Sequence, residues 1–179
     1  MTGRVDEPVW SAISRRRSVR DYLDRPLDEA HVERILKAGR RAASSKNQQR
    51  RAFVVCRERE LLLALSKVGD YAGPLAGAAM GVALVTEDPG TAKAPLSVYF
   101  DVGQAADSMM LAALEVGVGS VPITVYDQAL IRRLLGLPDD RHCEFLISFG
   151  YPADPTDLTR PPKPGGRLPL DELVHEERW

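Results

Sequence analysis

The sequence predicts an α+β domain in which helices pack against both faces of a mixed sheet. Three observations carry that expectation. Stretches with apolar residues at helical period alternate with short, valine-rich runs of strand length, and long connections separate them. One predicted helix, Ser97 to Val116, is nearly free of charge and therefore demands cover around most of its circumference. A chain of 179 residues can supply that cover, because a domain of this size buries roughly 70% of the surface its unfolded chain exposes.

The elements follow in order. Asp28 has the place of an N-cap, and Leu27 with Val32 has the spacing of a hydrophobic staple. Val32, Ile35, Leu36 and Gly39 then share one face of a helix running from Asp28 to about Ala43. "RAFVVC" reads as a buried strand, and Leu61, Leu62, Leu65 and Val68 mark a second helix. "AAMGVALVT", closed by Asp88-Pro89-Gly90, reads as a further strand, with a short helix as the alternative. After the long apolar helix, Gly117 and Gly119 stop the pattern, and "SVPITVY" is extended around Pro122. Asp127 caps "QALIRRLL", which Gly136 ends, and "EFLISFG" is the last strand. From Tyr151 to Pro169 the chain carries six prolines and two glycines ahead of "LDELVHEE". Such a segment cannot build a core and reads as an arm.

Composition narrows the class. Apolar content of 44%, charged content of 27% and a net charge of -1 describe an ordinary globular protein. "MTGRVDEPVW" has no apolar core of a secretory signal, and the longest apolar run, Leu75 to Val85, is too short to span a bilayer. Cys56 and Cys143 sit in apolar runs without metal-site spacing and read as reduced, buried thiols of a cytoplasmic protein. His31, His142 and His175 are far apart, so no metal is expected.

Four segments could carry chemistry. "SRRRSVRDY", Ser14 to Tyr22, packs four arginines and two serines into nine residues. In an extended backbone Arg16, Ser18 and Arg20 point to one side; in a helix Arg16 and Arg20 still share a face. Guanidinium forks with an interleaved hydroxyl suit a phosphate or another compact anion, whereas the plain alternative is a solvated run paired with Asp21 and Asp24. "ASSKNQQ", Ala43 to Gln49, offers donors and acceptors for a ligand, or else a loop that ends a helix. Arg40, Arg41, Arg50 and Arg51 flank it and raise a nucleic-acid reading, against which stand a pI near 6.3 and few aromatic residues. "GSVPITVYD" could present backbone amides to a ligand or merely connect two elements, and Arg167 is a lone cation in the arm.

Order and spacing carry more than any one segment. The series "RRSVR", "AASSKNQQ" before "FVV", "DVGQAADSMMLAALEVGVGSVPI", and "FGYP" with "RLPLDELV" resembles the nitroreductase-like FMN flavoprotein family over nearly the whole chain. The resemblance implies one domain over residues 1–179: a mixed sheet flanked by helices, in an intertwined homodimer with FMN at the interface. Residues 151–179 would form an arm packing on the partner subunit. It implies phosphate and ribityl contacts for Arg16 and Ser18, a further backbone or phosphate contact for Arg17, and a cation near the pyrimidine edge for Arg20. Ser44, Ser45 and Asn47 match a polar loop given to the flavin by the other subunit. Pro122, Ile123 and Thr124 match the segment along the ring, with an amide near Thr124 facing N5, and Arg167 matches a late cation that reaches the phosphate.

The chain departs from the pattern in two places. Ala43 replaces the first proline of a Pro-Ser-Ser loop, and Arg50-Arg51 stand where Pro-Trp is expected, which would favour an anionic substrate or the phosphate of NADPH. Insertions that build a larger substrate lid are also expected to be missing. The activity implied is ping-pong hydride transfer from NADH or NADPH through flavin N5 to a nitro, quinone or related small acceptor. Arg20 and Thr124 flank the reacting ring, and no acid or base of the protein is required. The alternatives are a flavin carrier or sensor with little turnover, and a basic-patch module for nucleic acid.

Overall fold

The computed structural model describes residues 8–91, 96–161 and 165–179. The first seven residues, on which most of the N-terminal reading rests, and Pro162 and Pro164 of the arm lie outside the described residues. The first element, α1 (Pro8–Arg15), is a helix the periodicity did not announce. None of its residues is buried, so the period it carries is not that of a core element.

Helix α2 (Glu29–Arg41) buries Val32, Ile35 and Gly39, the face its period predicts. Asp28 holds the N-cap position, but its carboxylate makes no capping bond and pairs instead with Arg25 at 3.4 Å. The staple residues Leu27 and Val32 are both buried. Strand β1 (Arg51–Cys56) is followed by α3 (Arg59–Leu65), and "MGVALVTE" forms strand β2 (Met80–Glu87), the strand rather than the helix alternative. Helix α4 (Ser97–Glu115) leads into β3 (Gly119–Thr124). In α5 (Gln128–Leu135) the Asp127 carboxylate accepts the Leu130 N–H at 2.8 Å, and Gly136 ends the helix at φ 61°. A left-handed residue there favours glycine, whose missing Cβ removes the clash with its own carbonyl. Strand β4 (Arg141–Gly150) and the short α6 (Leu170–Leu173) complete the order.

The sheet runs β1-β2-β4-β3, with every neighbouring pair of named strands antiparallel. Its parallel component is a single bridge between Ser18 and Ser120. Side chains alternate across β2: Val82 and Leu84 join α2 and α4 in one core, and Ala83 and Val85 join α3 and α5 in the other. Helices therefore cover both faces, as expected. A register shift between Leu84 and Val85 skips Glu144 on β4, so Cys143 and Leu146 reach the same core although they are three positions apart.

At one end of the sheet Gly119 of β3 pairs with Gly150 of β4. A Cβ on Gly119 would lie 2.7 Å from Val19, and one on Gly150 would lie 2.7 Å from Tyr22. The two bare positions form the seat on which the segment after α1 rests. Cys56 and Cys143 are free and buried, and burial pushes their thiols up to about 11 and about 12, so both stay protonated. Among the described residues no helix is long and apolar enough to cross a membrane.

Candidate functional site

The arginine-rich segment leaves α1, meets the edge strand β3 at Ser120 and passes on to the residues that follow β4. Val19 donates its N–H to the Ser120 carbonyl at 3.0 Å, next to the Ser18–Ser120 bridge. Val19 is fully buried, so alternation turns Ser18 and Arg20 away from the sheet, and Arg20 is exposed. Tyr22 anchors the far end: its hydroxyl donates to the Val19 carbonyl at 2.7 Å and shares a hydrogen bond with the Ser148 hydroxyl at 2.8 Å. Burial pushes the Tyr22 phenol well above its ordinary value, which keeps the donor protonated. The segment is also tied to the residues after β4, through Leu23 N–H to the Tyr151 carbonyl at 2.8 Å and Ala153 N–H to the Asp21 carbonyl at 3.0 Å. Of the two backbone conformations the spacing allowed, the extended one is adopted.

The arginines have different tasks in the single chain. Arg16 leans on α4, with Nε 3.6 Å from the Asp107 carboxylate and a quarter of its side chain exposed. A solvent-facing pair of this kind contributes about 0–1 kcal/mol, so the guanidinium is easily surrendered to another anion. Arg17 braces the backbone by donating to the carbonyls of Ser14 and Arg16 at 2.8 Å and of Arg160 at 3.2 Å. Arg160 returns a bond from Nη2 to the Ser18 carbonyl at 2.9 Å. Arg167 is exposed in the arm, with Nη1 on the Gly166 carbonyl at 2.8 Å.

Strand β3 lies beside this segment. Pro122 is exposed on the edge strand, where a missing N–H does no harm, Ile123 is buried in the core beneath, and Thr124 is half-buried. The arginine segment and β3 are thus joined at Ser120, two positions before Pro122, although about a hundred residues separate them along the chain.

The polar loop is built by other means. Ser45 to Asn47 form one 3-10 turn, and Lys46, Asn47 and Gln49 have φ of 52°, 54° and 52°. Left-handed backbone costs a residue other than glycine roughly 1–3 kcal/mol, so the loop persists only because its surroundings hold it. Both carboxylate oxygens of Asp101, 6% exposed on α4, accept the Ser45 N–H at 3.0 and 3.1 Å. The Ser44 hydroxyl accepts the Gln49 N–H at 3.0 Å. Arg51 donates to the carbonyls of Ala43 at 3.1 Å, Gly39 at 3.4 Å and Ala42, the last turn of α2 and the start of the loop. Arg50 pairs with Glu87 at 3.2 Å. Both arginines that seemed available for an anionic substrate or NADPH phosphate are therefore engaged within the chain.

Loop and arginine segment meet α4 at Asp101 and Asp107. Six residues of helix separate those contacts by about 9 Å along the axis and roughly 120° around it. No hydrogen bond or ion pair among the described residues joins Ser44, Ser45 or Asn47 to Arg16, Ser18 or Arg20. One chain thus presents two separate halves of the predicted site. A cavity of about 1040 Å³ lies elsewhere, between α1, α2 and α4, and no predicted site residue lines it. Of the four cations that line it, Arg15, Arg34, Lys37 and Arg41, two already pair with acids: Arg34 with Glu115 and Lys37 with Glu33. Chemistry rather than volume marks the site.

Sequence reasoning missed Tyr22, Asp101 and Arg160. Asp101 left a signal, being an acid inside an apolar helical stretch, where a buried charge needs a partner. Tyr22 and Arg160 act through contacts that only the fold creates.

The model of the nitroreductase family matches residues 13–80 and 70–151. A protein of Archaeoglobus fulgidus, provisionally named NADH dehydrogenase/NAD(P)H nitroreductase, is 34% identical over 178 residues, covering 97% of this chain and 99% of its own. The structure of nitroreductase A from Vibrio parahaemolyticus superposes with a TM-score of 0.84 at 26% identity, over 98% of this chain and 77% of that one. The fold is shared as well by an FMN-dependent nitroreductase from Clostridium difficile, with a TM-score of 0.78 at 24% identity over 94% and 98% of the two chains. With a family match from residue 13 to residue 151 and a relative of this identity along nearly its full length, the chain belongs to the nitroreductase family.

Proposed function

We propose that the protein is an FMN-dependent NAD(P)H oxidoreductase whose site is completed by a second copy of the chain. The observation that carries this reading is the junction of the arginine segment with β3 at Ser120, through the Ser18–Ser120 bridge and the Val19 N–H, which joins the strand that carries Pro122 and Thr124 to the segment that carries Arg16, Ser18 and Arg20. That donor set fits FMN: cations and a hydroxyl for a phosphate and its ribityl chain, and an exposed edge strand for a flat ring. The names of relatives, NAD(P)H nitroreductase in Archaeoglobus fulgidus and oxygen-insensitive NADPH nitroreductase in Salmonella typhimurium, support the same activity.

When bound, FMN would supply the two-electron chemistry, by way of its N5, that links NADH or NADPH to a nitro, quinone or related acceptor in a ping-pong cycle. The chain's part is binding and electrostatics. Arg16, Ser18 and Arg167 hold the phosphate end, with Arg17 keeping the segment's backbone in place. Pro122, Ile123 and Thr124 would hold the ring, with a backbone amide near Thr124 as donor, and Arg20 would stabilise the negative charge that reduction puts on it. Ser44, Ser45 and Asn47 serve the partner's flavin, which accounts for their distance from Arg16 within one chain.

Dimerisation is supported by apolar side chains that a single chain leaves in water. Val9, Trp10 and Ile13 on α1, Phe100 on α4, and Leu170 and Leu173 on the arm are each at least half exposed. We read residues 1–179 as one domain whose arm, 151–179, packs on the partner. The buried, protonated thiols suit a cytoplasmic protein.

The test is the visible spectrum of the purified protein, with heat release and mass identification of any chromophore, followed by NADH and NADPH oxidation with a quinone acceptor. Released FMN and turnover are expected. A colourless protein that takes up no added FMN refutes the reading, and bound FMN without turnover reduces it to a carrier or sensor.

A further inference from the structure

The two arginines at the head of β1 depart from the family pattern, and one of them has a task that the sequence did not disclose. Helix α2 ends at Arg41, and its last carbonyls lack partners within the helix, as at any helix C-terminus. The chain then loops through Ala42 to Arg50 and comes back, so that the Arg51 guanidinium meets the carbonyls of Gly39, Ala42 and Ala43. A planar fork with five N–H groups can serve three converging carbonyls at once, and its charge favours the negative end of a helix. Arg51 therefore closes the loop on itself. At the other side of the same loop Asp101 holds the Ser45 N–H. Between these two ties lie Lys46, Asn47 and Gln49, the three residues with positive φ.

We propose that Arg51 is a positioning residue of the cofactor site: it holds the strained 44–49 loop in the conformation that Ser44, Ser45 and Asn47 present to the partner's flavin. The proposal rests on the flavin reading above. Arg51 touches neither cofactor nor substrate. Its effect is to remove alternative loop conformations before binding, so that the ordering cost is met during folding rather than when FMN arrives. The neighbouring Arg50–Glu87 pair ties the same point of the chain to β2 and keeps the base of the loop still.

The experiment compares the full-length wild type with Arg51→Ala and Arg51→Lys in three measurements: amide exchange of residues 44–49, FMN affinity and association rate of the flavin-stripped protein, and thermal unfolding. Arg51→Ala is expected to exchange faster in the loop and to bind FMN about tenfold more weakly, with slower association, a loss equal to about 1.4 kcal/mol. Millimolar guanidinium, but not equal sodium chloride, should recover much of that affinity by refilling the vacated place. Arg51→Lys keeps the charge without the fork and should show the same loss, which serves where the alanine variant fails to fold.

Faster exchange with FMN affinity unchanged would overturn the proposal, because the loop's order would then have no use in binding. Unchanged exchange would overturn it too, since Arg51 would not be what holds the loop. A wild type that binds no FMN would refute the flavin reading and with it the ligand assigned to this loop. The two failures are distinguishable, because exchange at 44–49 still reports the clamp in that case.

Discussion

Gly150→Ala isolates the contact on which the arginine segment depends. An added Cβ would lie 2.7 Å from Tyr22 Cδ1 and Cγ and 2.9 Å from its Cβ, distances at which the ring cannot simply swing aside because atoms near its backbone are involved. The segment must lift. Overpacking of this kind costs about 1–3 kcal/mol, and losing the bonds from the Tyr22 hydroxyl to Val19 and Ser148 adds about 1 kcal/mol. A total of roughly 2–4 kcal/mol corresponds to a fall in Tm of roughly 5–15 °C for a chain of this length. Calorimetry of the wild type, Gly150→Ala, Tyr22→Ala and the double variant measures the coupling. With the ring removed, the cost of Gly150→Ala should drop to about half or less, since Cγ and Cδ1 are gone and only the Tyr22 Cβ remains close. Equal cost in both backgrounds would refute the close-approach argument and leave a local strand effect in its place.

Three further outcomes are expected. Arg16→Ala or Arg167→Ala should raise the dissociation constant of FMN by about tenfold or more, as for loss of one charge-assisted contact, and equilibrium binding to the stripped protein checks it. Arg20→Ala should retain FMN but lower its reduction potential, because the cation favours the more negative reduced form; an unchanged potential with FMN still bound would remove that role. For Tyr22 the folded state raises the phenol above its ordinary value near 10, so its stabilisation is complete below that pH and is lost as pH rises beyond it. Urea titrations at rising alkaline pH should show this decline, and Tyr22→Phe should be less stable at neutral pH but decline less steeply.

Much of the architecture could be read from local pattern. The face of α2, the strands β1 and β4, and helix α5 with its Asp127 cap and Gly136 stop all follow from periodicity and from residues whose backbone preferences are local. Helix α1 carries Val9, Trp10 and Ile13 at helical spacing over only eight residues, and none of the three is buried in the single chain. Antiparallel pairing of the four strands was likewise beyond local reading, since connection lengths do not record direction.

The candidate site divides along the same line. The sequence by itself determined which groups are available, an arginine-serine alternation, a polar loop after α2 and a proline-bearing edge strand, because residue type sets charge and donor capacity. Tertiary structure alone decided where they lie: paired glycines seat Val19 and Tyr22 against the sheet, and Ser18 bridges to β3 at Ser120. It also turned Arg50 and Arg51 inward onto Glu87 and the end of α2, where sequence alone allowed an anion-binding pair. The physical reason is that a guanidinium goes to whichever acceptors the fold brings within reach, and those lie at distances along the chain that no local pattern encodes.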